Sequence, residues 1–348
     1  MAATTLLTET GNAVAEGSGR LRTIDALRGL AAFWVAWFHV TMAGTRLPPN
    51  ALLGWFSRDG TVGVDVFFVI SGFVLPWSLY KSHYRVGRYG RFIAKRIVRI
   101  DPPYLLTAFL IIPLNFAVAR LPWFTGPPFT VNWASALGHI AFLNAFTGEP
   151  WLNVVFWTLA IEFQYYLLIG LIFPFVASPS RLAGACLVAV FLASPFVLKS
   201  EAHFPHYACL FLMGIATFQY RAAICGRTWF FAVIALATAD AWYVSGPTMA
   251  FAGVFATFAI AFLRIDWRPL QWLGAISYSL YLVHAPVGNK VANLVHRLPQ
   301  TPLVQYFEAI IAMLLSLAAA AVLFRFVEKP ARKMASRIPW EPRPRAAE

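Results

Sequence analysis

The sequence predicts an all-α integral membrane protein of about ten transmembrane helices in one bundle, both termini cytoplasmic, with one short re-entrant or peripheral helix. Three observations carry this expectation. The 348 residues are 59% hydrophobic and only 12% charged, about half the charged fraction of a soluble domain. The apolar residues fall in runs long enough to cross a ~30 Å hydrocarbon core as helices. The basic residues behind the net charge of +13 lie mainly between those runs, where Lys and Arg set topology.

The elements follow in chain order. Residues 1–19 are small and polar, with Glu9 and Glu16 and no basic segment before an apolar stretch. They read as a disordered tail rather than a cleavable signal peptide. The membrane domain is expected over 20–335, followed by a Pro- and Arg-rich cytoplasmic tail at 336–348. Apolar spans are expected at about 24–43, 61–80, 101–119, 154–176, 181–198, 205–220, 228–245, 247–263, 270–290 and 303–327. Segment 133–148 is weaker: it is short and contains Gly138, His139 and Asn144.

Basic residues decide its status. The stretch from Lys81 to Arg99 carries Lys81, Arg85, Arg88, Arg91, Lys95, Arg96 and Arg99, and so reads as a cytoplasmic loop. That puts the N-terminus, with Arg20 and Arg22, on the same side. With 133–148 left out of the count, Arg181, Arg221, Arg227, Arg264, Arg268 and the Lys329–Arg337 cluster join them. Counting it as a span would reverse the bias. It is therefore expected to be re-entrant or outward-lying. No internal repeat is visible.

Composition excludes several classes. Cys186, Cys209 and Cys225 form no CxxC pair, so neither a disulfide framework nor a metal cluster is expected. No glycine-rich phosphate loop is present. No soluble stretch is long enough to fold a nucleic-acid reader.

Five constellations carry chemistry. Arg28 and His39 are eleven residues apart on one apolar run, hence on nearly the same helix face and roughly 16 Å apart at ~1.5 Å per residue. Ionisable groups inside a span are costly and mark function by default. Histidine both accepts and donates a proton near neutrality. Asp65 lies near the outer end of another apolar span, just before Ser71-Gly72. Arg96 and Arg99 are three apart and share a face just ahead of a span, a forked pair suited to phosphate. Glu162 lies about two turns into the span 154–176, which carries Trp157 near its start, where a buried carboxylate serves as a base or as half of an ion pair. Ser277, Tyr278 and His284 lie on a run interrupted by Pro286, which can kink the helix. Each has a structural alternative: interfacial anchoring for Arg28 and Trp157, solvated topology determinants for Arg96 and Arg99, helix-to-helix bonding for His39, Asp65, Glu162 and His284, and polar packing for the serines.

Six of these stretches also carry a resemblance. They are Ile24-Asp-Ala-Leu-Arg28-Gly-Leu-Ala with His39, Gly63-Val-Asp65-Val-Phe-Phe-Val-Ile-Ser-Gly-Phe, Lys95-Arg96-Ile-Val-Arg99-Ile-Asp-Pro-Pro-Tyr, Trp157-Thr-Leu-Ala-Ile-Glu162, Ile276-Ser-Tyr-Ser-Leu-Tyr-Leu-Val-His284 and Val327-Glu328-Lys329-Pro330. In this order, over about residues 21 to 335, the sequence resembles the acyltransferase family 3 membrane O-acyltransferases. The departure is Asp101-Pro-Pro, where a hydrophobic residue often precedes a single proline; it touches how the third span begins.

The resemblance implies a bacterial inner-membrane, multi-pass enzyme. It implies an acyl-CoA donor, usually acetyl-CoA, no metal, and a hydroxyl acceptor on an envelope glycan or glycolipid such as lipopolysaccharide or exopolysaccharide. The family's Arg-x10-His pattern falls on Arg28 and His39, and its Arg-x-x-Arg pattern on Arg96 and Arg99. The expected mechanism holds donor phosphates on Arg28, Arg96 and Arg99. His39, with Glu162 and Asp65, serves the chemistry, and Trp157, Tyr278 and His284 face the acceptor. The distance from Arg28 to His39 is then the reach of a pantetheine arm. A proton-coupled transporter and a non-catalytic glycan-export subunit are the alternatives; buried His, Asp and Glu suit a proton relay, though no inverted repeat supports one.

Overall fold

The structure is a computed structural model that describes residues 22–41, 59–122, 129–295, 299 and 301–340. The tail expected at 1–19 lies outside the described residues, as does the C-terminal tail beyond residue 340. Among the described residues all regular structure is helical. The helices are α1 (residues 22–39), α2 (Thr61–Lys81), α3 (Tyr89–Ala119), α4 (Trp133–Gly138), α5 (Asn144–Thr147), α6 (Trp157–Val176), α7 (Arg181–Val197), α8 (Ala208–Arg221), α9 (Arg227–Ser245), α10 (Pro247–Phe262), α11 (Arg268–Val295), α12 (Pro302–Leu323) and α13 (Lys329–Arg337).

Each apolar segment expected from the sequence falls on one of these helices. Five helical stretches are long and apolar enough to cross a membrane: Thr61–Lys81, Val86–Ala119, Trp157–Val176, Arg227–Ser245 and Pro302–Arg337. α7 and α10 are shorter apolar helices. Their outward faces suit lipid. Phe251, Phe255, Phe258 and Phe262 of α10, and Leu303, Phe307, Ile311 and Leu314 of α12, are all exposed, an apolar area that a soluble monomer rarely shows to water.

α2 and α8 form the centre. Nearly every residue of α8 is buried, as is α2 from Val62 to Leu79 apart from one or two positions per turn, as expected of helices apolar all round. They touch backbone to backbone. A Cβ at Gly72 would collide with the Phe211 carbonyl, and one at Gly214 would lie 2.6 Å from the Gly72 carbonyl carbon. Small residues permit this approach, and close packing drives helix association in a membrane.

Two expectations change. The basic stretch 81–99 is not one loop: after a turn at 82–85 and a single 3₁₀ turn at Val86–Arg88, it is the first third of α3. Helix α3 runs on through Pro102 and Pro103. Those prolines remove the N–H groups that would bond the Val98 and Arg99 carbonyls, and the next carbonyl, Ile100, accepts a hydrogen bond from Tyr278 Oη at 2.9 Å. Likewise Pro286 lies inside an unbroken α11. Segment 133–148 is not one helix either. It breaks into α4, a 3₁₀ turn at His139–Ala141 and α5, with left-handed residues at Phe142 and Gly148. Buried His139 locks it, bonding the Ser135 carbonyl through Nδ1 (2.7 Å) and accepting from the Leu152 amide through Nε2 (3.2 Å).

Ties between distant parts hold the basic ends together. Asp266, in the connection between α10 and α11, accepts from Gln271 Nε2 at 2.6 Å and from Arg22. These two bonds hold its carboxyl below the usual carboxylate range. Trp340 packs against α3: Arg91 donates to its carbonyl at 2.9 Å, and Lys95 Nζ lies 4.9 Å from its ring centroid.

Candidate active site

A cavity opens where α1, α2, α3, α6, α11 and the turn after α12 converge. The empty space within and in front of it, open solvent included, is about 930 Å³. Four arginines reach it: Arg28 from α1, Arg96 and Arg99 from α3, and Arg332 from α13. Two glutamates oppose them, Glu162 from α6 and Glu328 from the π turn Phe324–Glu328. The rest of the wall is largely apolar or aromatic, including Phe67, Phe68, Tyr166, Tyr278 and Tyr281.

The arginines are held differently. Arg96 lies over the rings of Phe92 (5.3 Å) and Tyr166 (5.9 Å), a cation–π placement, and its buried Nε has no hydrogen-bond partner. Arg28 is close enough to Arg99 and Arg332 for mutual repulsion. Among the described residues neither Arg28, Arg96 nor Arg99 donates a hydrogen bond to a carboxylate; Arg332 pairs with Glu328. Clustered guanidinium groups with spare N–H donors form a receptor for a multiply charged anion.

Glu162 sits farther along the wall. Its Oε1 accepts from Ser71 Oγ at 2.8 Å, which ties Ser71-Gly72 of α2 to α6. Beyond it the wall continues to Val64, Phe67, Thr158 and Tyr281. Phe67 and Tyr281 stack edge-to-face at 6.0 Å, and Tyr281 Oη touches Thr158 Oγ1 at 2.5 Å and donates to the Val155 carbonyl at 3.1 Å.

One turn past Tyr281 on α11 is His284, fully buried, with its ring 5.7 Å from that of Tyr281. It meets His39 of α1: His284 Nε2 is 3.3 Å from His39 Nδ1, and the ring centroids are 5.0 Å apart. Backbone carbonyls set the protons. His284 Nδ1 is 3.0 Å from the Leu280 carbonyl and His39 Nδ1 is 2.9 Å from the Val35 carbonyl. A carbonyl oxygen only accepts, so both Nδ1 atoms carry hydrogen. His284 Nε2 is then a bare acceptor for the His39 Nδ1–H. The lone pair of His39 is left on Nε2, the form of imidazole that works as a base or nucleophile.

The residues singled out in the sequence therefore separate into groups. Arg28, Arg96, Arg99, Glu162 and Tyr278 line the cavity. His39 and His284 are joined just beyond its apolar end. Tyr278 spends its hydroxyl on the Ile100 carbonyl. Asp65 is buried on α2 outside the cavity wall, with Tyr207 as an electrostatic neighbour. Trp157 packs against the same Tyr207, the rings tilted with centroids 5.8 Å apart, and does not line the cavity.

Sequence reasoning missed Arg332 and the role of Glu328. Their signal was the i,i+4 spacing of an ion pair. Among the described residues no three His, Cys, Asp or Glu side chains converge as a metal site, and the cysteines are free.

Residues 21–325 match a family model described as an acyltransferase domain. Among similar proteins are an O-acetyltransferase OatA of Staphylococcus aureus, 28% identical over 89% of this chain and 57% of that protein, and a putative membrane-bound transacylase BcsY of Komagataeibacter xylinus, 28% identical over 79% and 74%. A peptidoglycan O-acetyltransferase OatA of Listeria monocytogenes is 24% identical over 89% and 56%. The chain thus spans little more than half the length of the staphylococcal and listerial relatives. No solved structure matches it.

Proposed function

We infer the reaction from the premise that the chain belongs to the acyltransferase family whose domain model it matches over residues 21–325. It is proposed to be a membrane O-acyltransferase that moves an acetyl group from cytoplasmic acetyl-CoA to a hydroxyl of an envelope glycan or glycolipid. The observation that carries this reading is the cavity itself. Three arginines that, among the described residues, donate no hydrogen bond to a carboxylate lie at its basic end, and a hydrogen-bonded histidine pair lies just past its apolar end.

The proposed topology is ten membrane crossings in a bacterial inner membrane, with both termini in the cytoplasm. The bias of Lys and Arg toward one set of loops supports it. On that orientation the arginine end of the cavity faces the compartment that supplies acyl-CoA.

Arg28, Arg96 and Arg99 would bind the donor's phosphates. The pantetheine arm, thin and flexible, would run past Glu162 toward Tyr281 and bring the thioester beside His39. His39 Nε2 is then the reacting nitrogen. As a base it takes the proton of the acceptor hydroxyl while that oxygen attacks the thioester carbonyl and the thiolate leaves. As a carrier it attacks the carbonyl itself, releases the thiolate, and passes the acyl group to the acceptor oxygen, whose proton ends on the freed Nε2 and from there on the thiolate. Both routes need the Nε2 lone pair and leave positive charge on the ring. That charge strengthens the Nδ1–H bond to His284 Nε2. Asp65 and Trp157, grouped around Tyr207, would belong to the acceptor's side.

The test is reconstitution. Purified protein in vesicles should release CoA from labelled acetyl-CoA and label a glycan or glycolipid acceptor. Movement of a solute across the vesicle without acetyl-CoA consumption would replace this reading with a transporter. Within it, Arg96→Gln and Arg99→Gln should each raise the donor KM about tenfold or more, as expected for losing a charge-assisted hydrogen bond. The acceptor KM should not move. Initial rates of CoA release at varied donor and acceptor concentrations separate the two.

A further inference from the structure

The segment after α12 winds as a π turn over Phe324–Glu328 before α13 begins. Such turns are uncommon and gather at functional positions. This one delivers Glu328 and Arg332 to the cavity wall. The Glu328 carboxylate is 1% exposed and so needs partners. Oε1 lies 2.5 Å from Arg332 Nη2. Oε2 accepts from the Ser279 amide at 3.2 Å and from Ser279 Oγ at 2.5 Å. Arg332 Nη2 in turn reaches the Ala275 carbonyl at 3.4 Å. The pair therefore grips both ends of one helical turn of α11, the carbonyl of residue 275 and the amide of residue 279. The Phe324 ring lies 5.5 Å from the guanidinium carbon.

This clamp fixes Arg332 without using it up. A guanidinium has five N–H donors, and the named bonds engage Nη2 alone. The buried Nε has no hydrogen-bond partner. Arg99 is near enough to repel Arg332, and Arg332 is near enough to repel Arg28. An ion pair serving only to join α11 and α13 has no need to stand among like charges on a cavity wall.

We propose that Arg332 is a fourth anion-binding arginine of the cavity, oriented by Glu328 as a positioning residue, and that the group it takes is a diphosphate. This rests on the donor reading above, which assigns anions to Arg28, Arg96 and Arg99 only. A fork held on one edge presents its remaining N–H groups in fixed geometry, which suits phosphate oxygens better than a lysine would.

The test is titration of the full-length protein in nanodiscs with coenzyme A and with inorganic pyrophosphate, for wild type and Arg332→Gln, Arg332→Lys, Glu328→Gln and Arg96→Gln. Arg332→Gln should weaken both ligands about tenfold or more, and Arg332→Lys should recover part of the loss. Glu328→Gln keeps acceptors for Ser279 but releases Arg332. It should raise the donor KM several-fold with the acceptor KM unchanged, a split that a merely structural defect would not produce. If Arg332→Gln binds coenzyme A as wild type does while Arg96→Gln does not, the role of Arg332 is overturned and the donor reading survives. If wild type binds pyrophosphate but not coenzyme A, the donor reading falls, and the pyrophosphate affinity of Arg332→Gln alone decides for Arg332. Should Arg332→Gln fail to fold, unchanged affinities in both Arg332→Lys and Glu328→Gln overturn the proposal.

Discussion

Alanine at position 39 is expected to cut acyl transfer by roughly 10²–10⁴-fold, the range for removing a positioned proton-transfer group, with coenzyme A still bound at wild-type affinity. The split follows from distance. His39 stands about three helical turns from Arg28 on α1, outside the cavity wall that holds the arginines. His284 supplies the companion experiment. Its Nε2 accepts from His39 Nδ1, so His284→Leu removes the acceptor, while His284→Gln can present a carbonyl oxygen in its place. His284→Leu should cost roughly tenfold, more than His284→Gln, since the part-buried His39 donor then loses its second acceptor. Equal rates for wild type and His39→Ala would remove His39 from the chemistry. A rapid-mix measurement without acceptor separates the two routes: one equivalent of CoA released per protein marks an acyl-histidine, and no burst marks a base.

That pairing shows where sequence reading stops. The helices were legible because a span must be an apolar run of a certain length, and basic residues mark its ends. Arg96 and Arg99 were legible because three residues on a helix is one face. The union of His39 with His284 was not, because 245 positions separate them and no periodicity says which helix faces which. His284 read as a residue facing the acceptor; its full burial and its bond to His39 give it a different neighbour. The basic stretch read as a loop because seven Lys and Arg residues crowd it between two apolar runs. Charge does not forbid a helix at a membrane surface, however, and proline costs only the N–H groups of its own residues and a clash one turn back. Glu328 and Arg332 have the spacing of a pair, but only the π turn aims them at the cavity.

Gly274→Val is expected to be the most damaging single change away from the reacting groups. A Cβ at Gly274 would overlap the backbone of Asp25, 2.5 Å from its carbonyl carbon, and one at Gly29 would lie 2.6 Å from the Leu270 carbonyl oxygen. These contacts are backbone against backbone, so no side chain can rotate away. α1 and α11 must separate, at a cost typical of overpacking, about 1–3 kcal/mol. The loss of function should exceed that figure. α1 carries both Arg28 and His39, and α11 carries His284 and Tyr281, so this crossing sets the register of the cavity and of the histidine pair together. A shift of an ångström takes the 3.3 Å contact between the histidines beyond hydrogen-bonding distance. Acyl transfer should fall 100-fold or more, a size that a misplacement of about 1 Å can produce, with a lower unfolding temperature in a thermal-shift assay. Gly274→Ala should lie between wild type and valine. Gly90→Ala is the control: its Cβ meets nothing within 4 Å, it lies in α3, and alanine there should raise stability slightly, by roughly 0.5–1 kcal/mol. Wild-type transfer by Gly274→Val would mean that the α1–α11 crossing does not hold the histidines in place.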